Sequence, residues 1–393
     1  RHRKTVAPVY RTRRMFISGL DYLVGMDAYN GTVLWDVDLP LSARMRAHNN
    51  CGSMVAVGDS LLVAAGGECI EFDGASGARA RSYTMPADTP AGKEWGYVAV
   101  VDRTLVGSVT RPMATVRVQV GEGKGQVCSD SLFAVDLPSG KHLWTYAPAE
   151  GVIINPAIAI GGGRVYLVES TNPETRNDED GRLALPDLVG KGSRIVALDL
   201  ATGQPAWRRP ARLEALAHAI YLSCSDDTVA LTGSKVVTID DTPRMRYDVR
   251  AFDAATGDRL WQSDHASVND ESPGDHGNDR QHPAIVGNTL YGSNFACDLR
   301  TGRLIDGWMW KKSHKCATLS ASAHCAFSRF TDAKTPHMFD FNTGEQASLT
   351  SITRPGCWIN TIPAGGLVLI PEASSGCTCP YPIQTSLALA PRS

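Results

Sequence analysis

One short phrase recurs along the whole chain and limits what it can fold into. It is clearest as DLATGQPAW (199–207), and it returns as MDAYNGTVLW, FDGASGAR, VDLPSGKHLW, FDAATGDRLW, CDLRTGRL and FDFNTGEQ. Its glycines fall at Gly31, Gly77, Gly140, Gly203, Gly257, Gly302 and Gly344, 42 to 63 residues apart. Each phrase follows a short β-branched or aliphatic run, such as RIVALDL or SLFAVDL. The Asp carboxylate can accept backbone N–H groups of the turn that follows, and glycine takes the positive φ such a turn needs. The phrase therefore reads as third strand, tight turn, fourth strand of a four-stranded unit.

Upstream of each phrase, a hairpin supplies the first two strands, as in GSMVAVGDSLLVAAG, YVAVVDRTLVGSV and PAIAIGGGRVYLVE. Repetition at this period, with only strand patterning between the marks, signals an all-β propeller. The expectation is one domain over residues 1–393, an eight-bladed β-propeller of four-stranded antiparallel blades, with seven blades as the alternative. The C-terminal INTIPAGGLVLIPEASSGCTCPYPIQTSLALAP offers three strands without a fourth. A strand near Thr5–Tyr10 is expected to complete that blade, so that the two ends close the ring and remove free sheet edges.

The D-x-x-T-G-x-x-x-W phrase resembles the tryptophan-docking repeat of quinoprotein alcohol dehydrogenases and their cofactor-free relatives, the lipoprotein propeller of the outer-membrane barrel-assembly machinery among them. The resemblance runs from about residue 5 to about residue 390. It is strong where Trp35, Trp144, Trp207 and Trp261 complete the phrase and weaker at Gly77, Gly302 and Gly344. RPGCWINTIPAGGLVLIPEASSGCTCPYPIQTSLAL is similar to the ending of PQQ-like repeat proteins of bacteria such as planctomycetes. The resemblance implies tryptophans that pack between blades. The quinoproteins carry an adjacent Cys-Cys pair over the quinone, a calcium ion and an aspartate base. Here Cys377 and Cys379 are separated by Thr378, and no calcium ligands match. PQQ is therefore not expected.

Charge is balanced, 39 Lys plus Arg against 41 Asp plus Glu, and no basic stripe stands out, so nucleic acid is not an expected partner. No apolar run approaches the roughly 18 residues of a membrane span. The N-terminal RHRKTVAPVYRTRRMF has no apolar leader core and reads as a trimmed or mature chain. Ten cysteines, several at turn positions, point to an oxidising compartment, periplasmic or extracellular.

On a propeller, the starts of the first strands share one mouth with the loops between second and third strands. Two such loops are long, 111–131 and 170–193, and long loops on a rigid scaffold are where function concentrates. At the mouth the sequence places His48, Tyr97, His282 and His314 as acid–base candidates for a hydrolase or β-eliminating lyase. Asn49, Glu94, Trp95, Asn155, Arg280, Trp358 and Asn360 would orient and stack a polar ligand such as a carbohydrate. The same side chains can instead cap strand ends and hold channel water. The competing expectations are a protein-interaction scaffold and a PQQ-dependent dehydrogenase.

Cys51 and Cys69 open the first and third strands of one unit and are candidates for a disulfide. Cys316, Cys357, Cys377 and Cys379 are candidates for two disulfides or, with His314, a zinc site. Cys224, Cys297 and Cys325 read as buried thiols within strands, and Cys128 as a loop residue. NDED (177–180) and NDESPGDHGND (269–279) are acidic enough to hold calcium but miss the EF-hand spacing and read as solvated loops.

Overall fold

The structure is a computed structural model. It describes residues 6–44, 52–116, 125–266, 282–308, 318–329, 335–356, 358–359, 361–372 and 383–391. The chain divides into two compact units, one ending at Arg212 and the other running from Leu213. Almost all regular structure is antiparallel strand. Among the described residues no helix is long and apolar enough to cross a membrane.

In the N-terminal unit each set of strands runs up and down in chain order. The first set is Val9–Arg11, Arg14–Ser18, Tyr22–Asp27 and Val33–Asp38, and the second is Met54–Val57, Ser60–Ala65, Glu68–Asp73 and Arg79–Thr84. The third consists of Glu94–Val101, Thr104–Thr110, Gln126–Asp136 and His142–Tyr146. The fourth is Ile153–Gly161, Arg164–Ser170, Ser193–Asp199 and Pro205–Pro210. Cys128 and Ser129 pair with Ile154 and Ile153, which ties the third set to the fourth. Val9 and Tyr10, assigned from sequence to the last unit, pair with Phe16 and Met15 and form the first strand of the first set.

The C-terminal unit repeats the arrangement. Its first set is Leu216–Cys224, Thr228–Ile239, Thr242–Asp253 and Arg259–Ala266. Ala284–Val286, Thr289–Gly292 and Phe295–Asp298 follow as a three-stranded set. Ser320–Ala321, Cys325–Arg329, Pro336–Asp340 and Gln346–Ser348 form the next, and Ile362–Ala364, Leu367–Ile370 and Leu387–Leu389 the last.

The recurrent phrase builds one local structure each time. Asp199 Oδ1 accepts the N–H groups of Ala201 and Thr202 at 3.1 and 2.9 Å and the Thr202 hydroxyl at 2.8 Å. The Gly203 N–H returns to Asp199 O at 2.8 Å. Those hydrogen bonds hold the Asp199 carboxyl below its ordinary pKa, with the Thr202 hydroxyl as the largest cause. The tryptophans then dock on the turn of the next set. Trp35 donates to Gly74 O, Trp144 to Leu200 O and Trp261 to Leu299 O, at 2.8 to 3.0 Å. Their rings cover Gly77, Gly203 and Gly302, where an added Cβ would come within 2.6 Å of the indole. Glycine is required there by φ and by space at once.

Candidate functional site

Between the strands of the N-terminal unit, the two long insertions fold onto each other. The first is shorter than the sequence suggests, because strand Gln126–Asp136 already begins within it. Cys128 therefore lies on a strand, buried, and not in a loop. The second insertion contains a 3-10 turn (Pro173–Asn177), a two-residue strand (Arg182–Leu183) and a short helix (Leu185–Val189). Gln126 and Val127 pair with Leu183 and Arg182, and the Cys128 N–H donates to Gly181 O at 2.9 Å.

Buried arginines fasten this junction through main-chain carbonyls. Arg182 donates from Nε to Ala114 O at 2.7 Å and from Nη1 to Gly125 O at 3.3 Å. Arg111 Nη2 reaches Arg176 O at 3.0 Å and Asp130 Oδ1 at 2.9 Å. Arg44 donates to Thr115 Oγ1 at 3.0 Å and to Trp95 O at 2.9 Å. All three are at most 4% exposed. Burying a cation is costly unless its donors are met, and converging carbonyl dipoles together with Asp130 meet much of that demand. Lys93 adds a second ion pair to Asp130 at 2.7 Å.

The second insertion also encloses a polar cleft of about 300 Å³, lined by Asn172, Glu174, Thr175, Leu183, Pro186, Asp187 and Lys191. Asn172 shapes its floor, accepting from the Glu174 N–H and donating to Asp187 O, both at 3.2 Å. Lys191 and Glu174 form an exposed ion pair at its rim, 2.5 Å apart.

Of the acid–base and ligand candidates proposed from sequence, four lie among the described residues of the N-terminal unit. Asn155 and the strand of Tyr97 are brought together: Ser108, Ser129 and Asn155 form a hydroxyl–hydroxyl–amide chain of 2.8 and 2.6 Å, and the Tyr97 N–H donates to Ser108 Oγ at 2.8 Å. Asn155 is fully buried. Glu94 Oε1 accepts the Met113 N–H at 3.0 Å, so this carboxylate holds the first insertion. Trp95, read as a ligand-stacking ring, is a core residue with no exposed surface. Strand alternation turns it inward against Phe133, ring centroids 4.8 Å apart, and it crosses above Gly107.

In the C-terminal unit, His282 packs against Tyr221 with ring centroids 4.9 Å apart, its Nδ1 2.9 Å from Pro283 O. Trp358 is buried, with φ of +68°. His48, Asn49, Cys51, Arg280, His314, Cys316, Cys357, Asn360, Cys377 and Cys379 lie outside the described residues, as does the 269–279 segment. Cys69, assigned to a disulfide with Cys51, is a free thiol buried among Leu62, Tyr83 and Trp95. Cys224, Cys297 and Cys325 are free thiols as expected, although Cys224 and Cys325 are only half-buried.

The sequence reading missed Arg44, Arg111, Arg182 and Asn172. A signal was present for two of them: Arg111 and Arg182 each lie just before or after a glycine- or proline-bearing turn in an insertion otherwise rich in small residues.

Residues 110–347, more than half of the chain, match the profile of a family described as outer membrane protein assembly factor BamB. The chain belongs to that family. Its β-propeller fold is of the PQQ-like repeat type, and two solved structures share the fold. A europium-containing methanol dehydrogenase is 13% identical, with a TM-score of 0.50, over 87% of this chain and 78% of that one. The quinohemoprotein alcohol dehydrogenase from Comamonas testosteroni is 12% identical, with a TM-score of 0.52, over 87% of this chain and 66% of that one. BamB from Moraxella catarrhalis aligns with 16% identity and a TM-score of 0.45, over 80% of this chain and 78% of that one. No curated protein matches the chain.

Among the described residues no three His, Cys, Asp or Glu side chains converge as a metal ion requires.

Proposed function

We infer that this family member is a protein-interaction scaffold of the cell envelope, on its periplasmic side. It would hold a partner in outer-membrane protein assembly against the joined insertions of the N-terminal unit. The observation that carries this reading is the arginine-fastened junction of 111–116 and 125–130 with 170–193. There the polar side chains brace loops whose residues Asn177 and Glu179 are exposed. Glu94 and Asn155 are engaged in holding the fold, which leaves them poorly placed to act as acid, base or ligand anchor.

The test is co-purification. Full-length tagged protein, cross-linked in an envelope-bearing host, is expected to retain an outer-membrane assembly protein. Exposed changes in the second insertion, Asn177→Arg with Glu179→Arg, should lose that protein without moving the melting temperature. Unaltered retention by the double variant would remove this face from the proposal.

The polar cleft favours a second reading, in which the insertion binds a small polar molecule such as a carbohydrate. Asn172, Glu174, Asp187 and Lys191 offer both donors and acceptors around about 300 Å³, the lower end of small-molecule sites. A melting-temperature rise with a sugar that Asp187→Ala abolishes would favour it over the scaffold.

A further inference from the structure

We propose that the long hairpin of the C-terminal unit receives an extended segment of a partner polypeptide along its open backbone edge at Thr238. The hairpin strands Thr228–Ile239 and Thr242–Asp253 have twelve residues each. The second strands of the other sets have four to seven. The first strand ends its register at Leu216 opposite Lys235, short of the tip, and the fourth is described as far as Ala266, opposite Arg246. Among the described residues, 236–239 and 242–245 pair only with each other, as a two-stranded arm whose base at Met245 is packed in the core.

The turn fixes which backbone groups face outward. Asp240 and Asp241 both have positive φ, 47° and 56°, the two-residue turn whose flanking residues form a hydrogen-bonded pair. Ile239 and Thr242 are that pair, so one residue back Thr238 directs its N–H and C=O away from the partner strand. Among the described residues no neighbour follows on that side, where the Leu216 N–H closes a turn onto Leu213 O at 2.9 Å.

The two edges of the arm differ. On the far edge Pro243 supplies no N–H, a common device for blunting an exposed strand. The Thr238 edge has no such protection. Val236 and Ile239, on opposite faces of the strand, are 39% and 38% exposed, so β-branched side chains flank the unpaired groups. Only another strand can satisfy such groups in line, with side-chain contacts setting preference. The occupant rests on the scaffold reading: the family is described as an assembly factor for outer membrane proteins, which makes an extended partner segment the fitting one. Because the edge is short, capture would be weak and reversible.

The test uses a fluorescent ten-residue peptide of alternating valine and threonine with lysine ends, titrated against the full chain by anisotropy. Thr238→Pro removes the outward N–H and leaves the Ile239–Thr242 pair intact. It should weaken binding by about tenfold with unchanged circular dichroism and melting temperature. The same peptide N-methylated at alternate amides should bind as poorly. Equal binding by Thr238→Pro, or by the methylated peptide, overturns the proposal. So does a wild-type dimer that Thr238→Pro dissociates, since the edge then belongs to a second copy. If the co-purified assembly protein is retained while the peptide fails to bind wild type, this inference falls and the scaffold stands. If the peptide binds as expected but no assembly protein is retained, the scaffold reading falls instead.

Discussion

Trp144 lies directly over Gly203, its indole N–H donating to Leu200 O at 2.8 Å and its ring occupying the space where a Cβ would stand. Two copies of the phrase thus complete each other: the tryptophan that ends one is seated by the turn that opens the next. The turn's positive φ and its missing side chain serve one purpose.

Gly203→Ala should therefore lower stability by about 2–4 kcal/mol, combining left-handed strain with displacement of Trp144. Gly140 offers the control, since its φ is +72° yet nothing lies within 4 Å of its Cβ position. Gly140→Ala should cost only about 1–2 kcal/mol. Guanidinium unfolding of the two variants checks this, and equal losses would show that docking adds nothing.

Burial should silence the core thiols. It pushes Cys128 and Cys297 up to about 12 and raises Cys69 as well. Native protein treated with iodoacetamide near pH 8 should leave Cys69, Cys128 and Cys297 unlabelled by peptide mass spectrometry. Half-buried Cys224 and Cys325 should react slowly, and all five should react in denaturant. A Cys51–Cys69 disulfide in the non-reduced digest would contradict the free thiol at Cys69.

The C-terminal unit should weaken in mild acid. His265 stacks on Phe295 with ring centroids 4.1 Å apart, and burial lowers its pKa below the ordinary 6.5, against a smaller upward effect of Asp264. A folded-state value below the unfolded one means that unfolding takes up protons. The contribution is complete above 6.5 and is lost as pH falls towards the folded value. Urea midpoints measured from pH 8 to pH 5 should fall more steeply for wild type than for His265→Gln; parallel slopes would discard this role.

Much of the fold was legible because its signals are local. The Asp-to-Trp phrase specifies a turn through one carboxylate and one glycine within five residues, and so it survives variation elsewhere. The two insertions were legible as places of interest for the same reason. The candidate site was less so, because a bulge in the pairing of Glu94–Val101 with Thr104–Thr110 resets which way a side chain points. Trp95 and Tyr97 are two apart, yet one belongs wholly to the core and the other is half-buried beside Val106 and Leu132. Gly107, over which the Trp95 ring lies, was the available clue. The strand of Cys128 was hidden because it depends on pairing with Arg182 and Ile154, residues far along the chain.

The arginine clamps have an evolutionary consequence. Arg111 grips Arg176 O, Arg182 grips Ala114 O, and Arg176 itself donates to Gly151 O and Pro148 O, so what they hold is main chain. A carbonyl is offered by every amino acid. The outward side chains of the insertions can therefore drift freely without surrendering the posture of the loops.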